Sequence, residues 1–328
     1  MSTDATPKTI QEIASAFQRS RALLTAFELD IFTTINEQQL TSSEVAEAVG
    51  GAPRHVDRLL NALVALGLLE KREGRFANAP VAARYLVKGR PGYMGGLGHT
   101  AHLWETWGHL TEVVREGRPA ARPPINDRGD EWLRPFIAAM HWRSRQTAPE
   151  VVKALDLAGV SRVIDVGGGS GAYAMAFARA KAGVSAVVFD LPNVVPLTRT
   201  YIVEESLAAQ VEAVAGDYMK DSLGEGFDLA LLSMVIHSHS PAQNQALLAK
   251  VARALTSGGQ VVIQDFLMAE DRGGPLQPAL FALNMLVGTE AGDTYTDAEV
   301  RGWLQEAGFT SVTRTDTTFG SSLVVGRR

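Results

Sequence analysis

The fold of this 328-residue chain is decided by one stretch, Val163-Ile164-Asp165-Val166-Gly167-Gly168-Gly169-Ser170-Gly171-Ala172. An apolar run ends there in a glycine turn, and a helical pattern begins directly after it. Glycines let a backbone approach a ligand closely, and the N-terminus of the following helix offers free N–H groups. The next apolar run ends at Asp190, about 20 residues after the first glycine, where dinucleotide-binding folds place an acid for ribose hydroxyls. The stretch therefore predicts a site for a nucleoside-bearing cofactor.

The pattern around this stretch is typical of an α/β domain. After residue 157, short β-rich runs alternate with helical stretches. We expect five parallel strands followed by a closing hairpin. The predicted strands cover residues 162–166, 186–189, 211–215, 229–233, 260–266, 312–318 and 322–325.

The first part of the chain predicts a winged-helix unit. Apolar residues recur at three- and four-residue steps over residues 9–35, as in amphipathic helices. Thr41 and Glu44 form a capping box before a short helix, Pro53 opens a second helix, and residues 67–76 predict a hairpin. Such a unit can bind DNA or serve dimerisation. Basic and acidic side chains cancel between residues 41 and 80, and a neutral surface binds DNA poorly, so we favour dimerisation.

The remaining segments set the expected domain boundaries. Residues 117–130 are rich in Pro and Gly and predict a loop, and a long helix follows from about Glu131 to Leu155. We predict a dimerisation domain over residues 1–115, a linker and interdomain helix over 116–157, and a cofactor-binding domain over 158–328.

Composition excludes several classes of function. The chain has 31 Lys and Arg against 36 Asp and Glu, a formal charge of −5 that argues against a nucleic-acid partner. It has no cysteine, so disulfides, Cys-ligated zinc, iron–sulfur clusters and a catalytic thiol are excluded. Residues 1–18 lack the apolar segment of a signal peptide, and no apolar run is long enough to span a membrane. We expect a cytoplasmic protein with no membrane partner.

Two acids distinguish between possible cofactors. Gly167, Gly169 and Ala172 also satisfy the NAD fingerprint, so an NAD-dependent oxidoreductase is an alternative. However, Asp165 precedes the glycine turn, where it would repel a pyrophosphate and hold the ammonium of an amino-acid-bearing cofactor. Asp217 follows the third strand and could accept from an adenine amino group.

These residues resemble the class I S-adenosylmethionine-dependent methyltransferases. Residues 163–171, 188–195 and 216–217 are similar, in this order, to the small-molecule O-methyltransferases of plants and bacteria, the caffeic-acid and hydroxyindole type. Residues 103–110 and 115–117 are similar to the interdomain segment of that family. The resemblance implies a Rossmann-like domain, with a mostly parallel sheet and a C-terminal antiparallel hairpin, preceded by a mostly helical winged-helix domain. It also implies a homodimer in bacterial secondary metabolism.

The cofactor implied by the resemblance is S-adenosyl-L-methionine. Three groups of residues would bind it: those around the glycine turn at the methionyl end, those after the second strand at the ribose and adenine, and those after the third strand at the adenine. With one residue of the fourth strand, they are Asp165, Gly167, Gly168, Gly169, Asp190, Leu191, Gly216, Asp217, Tyr218 and Ser233.

The candidate base is His237. It lies at the carboxyl end of the fourth strand, where open α/β sheets bind ligands, and neutral imidazole suits proton removal from a hydroxyl. The resemblance implies the same role, because His237 matches the histidine of the family's His-Asp-Trp motif. Ser238 and His239 depart from that motif. Asp265 stands where the family has a Glu that orients the base, and Thr294 replaces a second such Glu.

The departures keep alternatives open. An S-, N- or C-methyltransferase could use His237 only to shape the pocket, and a non-catalytic winged-helix regulator could merely sense the cofactor. His237 and His239 could suggest a metal pair, but they supply at most two ligands, so we expect no metal.

The acceptor pocket is expected along two helices and beside the base. Its predicted lining is Met140, His141, Trp142, Met234, Phe281, Asn284 and Met285. Apolar residues at helical spacing are often ordinary core, so the polar His141 and Asn284 carry most of this inference.

Overall fold

The computed structural model describes residues 6–120 and 127–328. Their contacts form two compact units, Met1–Leu103 and Trp104–Arg328. The boundary falls before residue 115, where we placed the end of the first domain, so residues 104–115 pack with the second unit. Part of the loop predicted at 117–130, residues 121–126, lies outside the described residues. In the described ranges, no helix is both long and apolar enough to cross a membrane.

The first unit has the predicted winged-helix order of helix, helix and hairpin. Its elements are α1 (Pro7–Ser15), α2 (Phe17–Glu28), α3 (Ile31–Ile35), β1 (Leu40–Thr41), α4 (Ser42–Ala48), α5 (Pro53–Ala65), β2 (Leu69–Arg72), β3 (Arg75–Asn78) and α6 (Pro80–Tyr85). The strands form a small antiparallel sheet in the order β1-β3-β2.

Local chemistry explains these elements. The Thr41 side chain accepts the Glu44 N–H, and the Glu44 carboxylate accepts the Thr41 N–H at 2.7 Å, which confirms the capping box. Glu73 and Gly74 have φ of 49° and 77°, as a two-residue hairpin turn between twisted strands requires. The apolar core of the unit includes Ile31, Phe32, Ile35, Leu60, Leu63 and Phe76.

The second unit is the predicted α/β domain. After α7 (Leu97–Gly108), which crosses the boundary, its elements are α8 (Leu110–Glu116), α9 (Asp130–Lys153), β4 (Arg162–Val166), α10 (Ala172–Ala180), β5 (Ser185–Asp190), α11 (Val195–Glu204), β6 (Val211–Ala215), β7 (Phe227–Ser233), α12 (Pro241–Ala254), β8 (Leu255–Asp265), β9 (Leu267–Met268), α13 (Leu276–Gly288), β10 (Tyr295–Thr296), α14 (Asp297–Glu306), β11 (Thr310–Asp316) and β12 (Ser322–Arg327).

The main sheet has the order β11-β12-β8-β7-β4-β5-β6. The strands from β8 to β6 are parallel, and β12 pairs antiparallel with β8 and β11, so the five parallel strands and the closing hairpin are confirmed. Alternate residues of β4 enter different apolar clusters: Ile164 and Val166 one cluster, Val163 the other. Both faces are therefore buried, which explains the continuous apolar runs in the sequence.

The chain order reverses around β4. From β4 the chain continues to β5 on one side of the sheet and returns to β7 on the other. Open α/β sheets bind ligands in the crevice at such a switch point, beyond the carboxyl ends of the strands. The topology therefore predicts a ligand-binding site at the carboxyl end of β4.

Candidate active site

A cavity of about 820 Å³ lies at the carboxyl ends of the parallel strands in the second unit. Its size is in the range of small-molecule sites. Eleven of the predicted site residues line it: Met140, Asp165, Gly167, Gly168, Gly169, Asp190, Leu191, Asp217, Tyr218, Ser233 and Met234.

The glycine turn after β4 forms a cradle that side chains would fill. Gly167 and Gly169 have φ of +69° and +56°, a region that other residues rarely adopt. A Cβ atom added at Gly168 would lie 2.5 Å from Oδ2 of Asp165, and one at Gly167 would lie 3.2 Å from the Tyr218 ring. The space beside the turn therefore depends on glycine.

Asp165 is the least satisfied polar group at this site. It lies in β4, inside the sheet, and is fully buried. Neither carboxylate oxygen makes a hydrogen bond of acceptable geometry with the described residues, although the Ala174 N–H lies near enough to favour the charged form. Burial raises the pKa of Asp165 to about 7, the Ala174 N–H lowers it by less, and the charge of Asp190 raises it slightly. A buried carboxylate is costly without a partner, and an ammonium group in the cavity would supply one. The site thus fits an amino-acid-bearing cofactor.

Asp190 is held at the end of β5 by two backbone amides. Its Oδ2 accepts the N–H of Gly169 at 2.7 Å, and its Oδ1 accepts the N–H of Leu191 at 2.7 Å. Burial raises the pKa of Asp190 to about 6, and the two amides partly offset that rise. Each oxygen keeps a further lone pair for a ligand. Binding of ribose hydroxyls by Asp190 stays a prediction.

Asp217 lies on the cavity wall after β6. Its Oδ1 accepts the N–H of Met219 at 2.9 Å, and its Oδ2 is 2.9 Å from the Lys220 ammonium. Gly216, which we predicted at the cofactor, does not line the cavity. A Cβ atom there would lie 2.3 Å from the Phe189 ring, so this glycine lets the chain pass that ring.

His237 and Asp265 form a buried pair at the ends of β7 and β8. His237 lies in a 3₁₀ turn, Ile236–Ser238, and its Nδ1 is 2.9 and 3.0 Å from the two carboxylate oxygens of Asp265. The edge of its ring contacts Phe281, with ring centroids 4.8 Å apart. Because an ionised carboxylate only accepts hydrogen bonds, Nδ1 carries the proton and Nε2 is the basic nitrogen.

The residues that depart from the family motif have other contacts. His239 lines the cavity, and its Nε2 is 2.9 Å from the hydroxyl of Tyr218. Burial lowers the pKa of His239, and the neighbouring His237 lowers it further. Thr294 is buried, and its hydroxyl donates to the Pro278 carbonyl rather than contacting the base. In residues 6–120 and 127–328, no group of three or more His, Cys, Asp or Glu side chains is placed to hold a metal ion.

Five residues predicted at the acceptor do not line the cavity. His141 is 3.0 Å from the Ser170 hydroxyl and stacks on Tyr201 with centroids 3.9 Å apart, and burial lowers its pKa to about 4. Asn284 accepts from the Trp107 indole N–H at 2.9 Å. The others are the exposed Trp142, Phe281 against His237, and the buried Met285. The helical spacing of these residues did not show which face of α9 or α13 lines the cavity.

Ser233 is the one predicted member of a set of hydroxyl and amide side chains on the cavity wall, and the prediction missed the other four. Ser233 donates to the Gln264 side-chain oxygen at 2.7 Å, and the Gln264 amide donates to Ser321 at 3.1 Å. The Tyr173 hydroxyl is 2.9 Å from that of Thr147. All five residues line the cavity. Gln264 was detectable, because it interrupts the apolar run of β8 directly before Asp265.

Asp165 lies beside the glycine cradle at the end of β4, and the His237–Asp265 pair lies at the ends of β7 and β8 of the same sheet. The pair does not itself line the cavity, although Ser238 and His239, which directly follow His237, do. This arrangement fits a class I methyltransferase. Solved structures agree. The crystal structure of human N-acetylserotonin methyltransferase in complex with S-adenosylmethionine superposes with a TM-score of 0.86 at 27% identity, covering 100% of this chain and 99% of that one.

Residues 107–310 match the O-methyltransferase domain, and residues 11–88 match the O-methyltransferase dimerisation domain. Two relatives come from Streptomyces. The 3-hydroxy-5-methyl-1-naphthoate 3-O-methyltransferase of Streptomyces sahachiroi is 37% identical over 93% of this chain and 90% of its own length. The tetracenomycin polyketide synthesis 8-O-methyl transferase of Streptomyces glaucescens is 35% identical over 98% and 97%. The chain belongs to the O-methyltransferase family.

Membership decides between the cofactors that the sequence left open. The protein is an S-adenosylmethionine-dependent O-methyltransferase, and the predicted cofactor is confirmed. The NAD-dependent oxidoreductase and the non-catalytic regulator are set aside. The individual contacts of the site residues with the cofactor stay predictions.

Asp165→Asn tests two effects of this carboxylate separately: its contribution to cofactor binding and the stability that its burial costs the unliganded protein. The wild-type carboxylate has a pKa of about 7 in the folded protein, above its ordinary value, so the unfolded chain releases this proton first and the unliganded wild type loses stability as pH rises from about 4 to about 7. We expect the melting temperature of the variant, relative to wild type, to increase from about pH 4 to about pH 7 and to change little above that. We also expect it to lose most of the stabilisation by S-adenosylhomocysteine, which at 100 times the dissociation constant is about 2.7 kcal/mol for wild type.

Thermal unfolding with and without S-adenosylhomocysteine measures both effects. The exposed Asp271→Asn is the matched control and should behave as wild type. A full ligand-induced shift in Asp165→Asn would contradict the role assigned to this carboxylate.

Proposed function

We propose that this enzyme methylates a hydroxyl group of a small aromatic acceptor, with His237 as general base and Asp265 as the residue that positions it. The observation that carries the proposal is the pair of contacts at 2.9 and 3.0 Å between His237 Nδ1 and the Asp265 carboxylate. They set the tautomer of the imidazole and direct its basic Nε2 away from Asp265.

The chemistry requires little more from the protein. When bound, S-adenosylmethionine supplies a methyl group attached to a sulfonium sulfur, and that sulfur is the leaving group, as a neutral thioether. His237 Nε2 takes the proton of the acceptor hydroxyl as its oxygen attacks, and Asp265 stabilises the resulting imidazolium. The cavity must hold the acceptor oxygen about 3–3.5 Å from the methyl carbon and exclude water.

The lining of the cavity supports an aromatic acceptor. Met140, Met234 and Phe266 contribute apolar walls. Aromatic rings pack well against methionine sulfur and phenylalanine. The two Streptomyces relatives are named for methylation of a hydroxynaphthoate and for a polyketide pathway, which is consistent with this class of acceptor.

His237→Ala tests the base. We expect kcat for methyl transfer to hydroxyarenes to fall by roughly 10²–10⁴, with the affinity for S-adenosylhomocysteine unchanged, because the imidazole acts on the acceptor proton. Asp265→Asn should also lower kcat, since an amide can donate to Nδ1 and favour the tautomer in which Nε2 cannot accept a proton. Steady-state kinetics and calorimetry measure the two quantities.

The control for His237→Ala is His55→Ala, on the exposed surface of α5. A loss of less than about tenfold in His237→Ala would reject general-base catalysis. His237 would then only shape the pocket.

We also propose that the protein is a homodimer through its N-terminal helices. No residue of α1 is buried, although the helix carries large apolar side chains. Ile10 and Ile13 are 66% and 72% exposed, and Phe17 at the start of α2 is 53% exposed. Three large apolar side chains this close together are typical of an interaction surface. The match of residues 11–88 to a dimerisation domain supports the same surface.

Charge on this surface should separate the subunits. Sedimentation of the wild type should give twice the chain mass of 35.2 kDa, and Ile10→Asp with Ile13→Asp should shift the protein towards the monomer, because a dimer interface would bury these carboxylates. Val203→Asp, at a position that is also 66% exposed but lies in the second unit, is the control. A wild-type monomer at micromolar concentration would refute the dimer.

A further inference from the structure

Arg143 is a cationic side chain on the cavity wall, where the other charged side chains of the described residues are acids. The described residues that line the cavity include three acids, Asp165, Asp190 and Asp217, and a single permanent cation, Arg143 on α9. An arginine is charged at every accessible pH and presents a planar fork of N–H donors. Its place on this wall therefore affects which ligand groups the cavity can hold.

Arg143 has no acidic partner within residues 6–120 and 127–328. No carboxylate of the described residues lies within ion-pair distance of its guanidinium. The three acids of the cavity have other surroundings. Asp190 accepts hydrogen bonds from two backbone amides, Asp217 forms an ion pair with Lys220, and Asp165 is fully buried. The guanidinium is left available to an anionic group from outside the protein.

Two aromatic rings connect Arg143 to the proposed base. The guanidinium carbon is 6.0 Å from the centroid of the Phe266 ring, and Phe266 directly follows the positioning residue Asp265. Phe266 in turn contacts Phe281, whose ring packs against the base, His237. One helical turn further along α9, Thr147 hydrogen-bonds to Tyr173 on the same cavity wall. Arg143 thus lies between the side of the cavity near the base and its hydroxyl-lined wall.

We propose that Arg143 binds a carboxylate of a ligand in this cavity. The inference rests on the proposed function, because methyl transfer here brings two ligands to the cavity. A guanidinium recognises a carboxylate through two parallel N–H···O contacts, which a neutral amide or an ester cannot match. The carboxylate has two possible sources, the methionyl end of the cofactor and an acidic group on the aromatic acceptor.

Calorimetry on the full-length protein separates these sources. One arm compares S-adenosylhomocysteine with its decarboxylated analogue, and the other compares naphthoate with naphthamide, added to the protein saturated with S-adenosylhomocysteine. Each is measured for wild type, Arg143→Gln and Arg143→Lys. Arg145→Gln is the matched control, because Arg145 is exposed on the same helix and does not line this cavity.

We expect Arg143→Gln to weaken binding of the carboxylate form in one arm by about tenfold or more, leaving the neutral form unchanged, and Arg143→Lys to recover part of the loss. A loss confined to S-adenosylhomocysteine assigns Arg143 to the cofactor, and a loss confined to naphthoate assigns it to the acceptor. Equal binding by wild type and Arg143→Gln in both arms would overturn the proposal.

A failure of this inference can be distinguished from a failure of the proposed function. If the wild type binds S-adenosylhomocysteine but transfers no methyl group to hydroxyarenes, the proposed function fails while the role of Arg143 can still be read from the binding data. If methyl transfer proceeds and Arg143→Gln binds every probe as wild type does, the inference alone fails.

Discussion

The site is organised around a carboxylate that the protein buries and does not satisfy. Asp165 lies inside the sheet, and its oxygens make no hydrogen bond of acceptable geometry with the described residues. Its cost is reflected in a pKa near 7, because burial penalises the charged form. Gly168 leaves the space beside it open, since any larger residue would collide with Oδ2. We interpret this as stability given up for binding: the free energy lost in burying the carboxylate is recovered when a cationic ligand arrives.

The parallel sheet explains why the other groups gather around Asp165. The carboxyl ends of neighbouring parallel strands meet at one edge, so residues far apart in sequence become neighbours. Asp190 and Asp217 arrive there from β5 and β6, on one side of β4, and His237 and Asp265 arrive from β7 and β8, on the other. Groups suited to a nucleoside and groups suited to proton transfer are thereby divided between the two halves of the sheet.

The sequence predicted the strands and their ends well because each buried strand is a short apolar run with a polar residue at its end. Hence Asp165 and the His237–Asp265 pair were found from sequence, the latter with the aid of the family resemblance. The residues that line the cavity are harder to predict on helices. Both α9 and α13 carry apolar residues on more than one face, so their spacing does not show which face lines the cavity. His141 was therefore predicted at the acceptor but bonds to Ser170, and Asn284 bonds to Trp107. Gln264 was overlooked because the strand pattern does not show that its amide bonds to Ser233 and Ser321.

Proton release on ligand binding tests the central claim most directly. Titration of S-adenosylhomocysteine in buffers of different ionisation enthalpy gives the number of protons exchanged with solvent. At pH 7 the carboxylate of Asp165, with its pKa of about 7, is partly protonated in the free protein and becomes ionised beside an ammonium. We therefore predict the release of a fraction of a proton, which diminishes at higher pH and is absent in Asp165→Asn. The same proton count in wild type and Asp165→Asn would contradict the account.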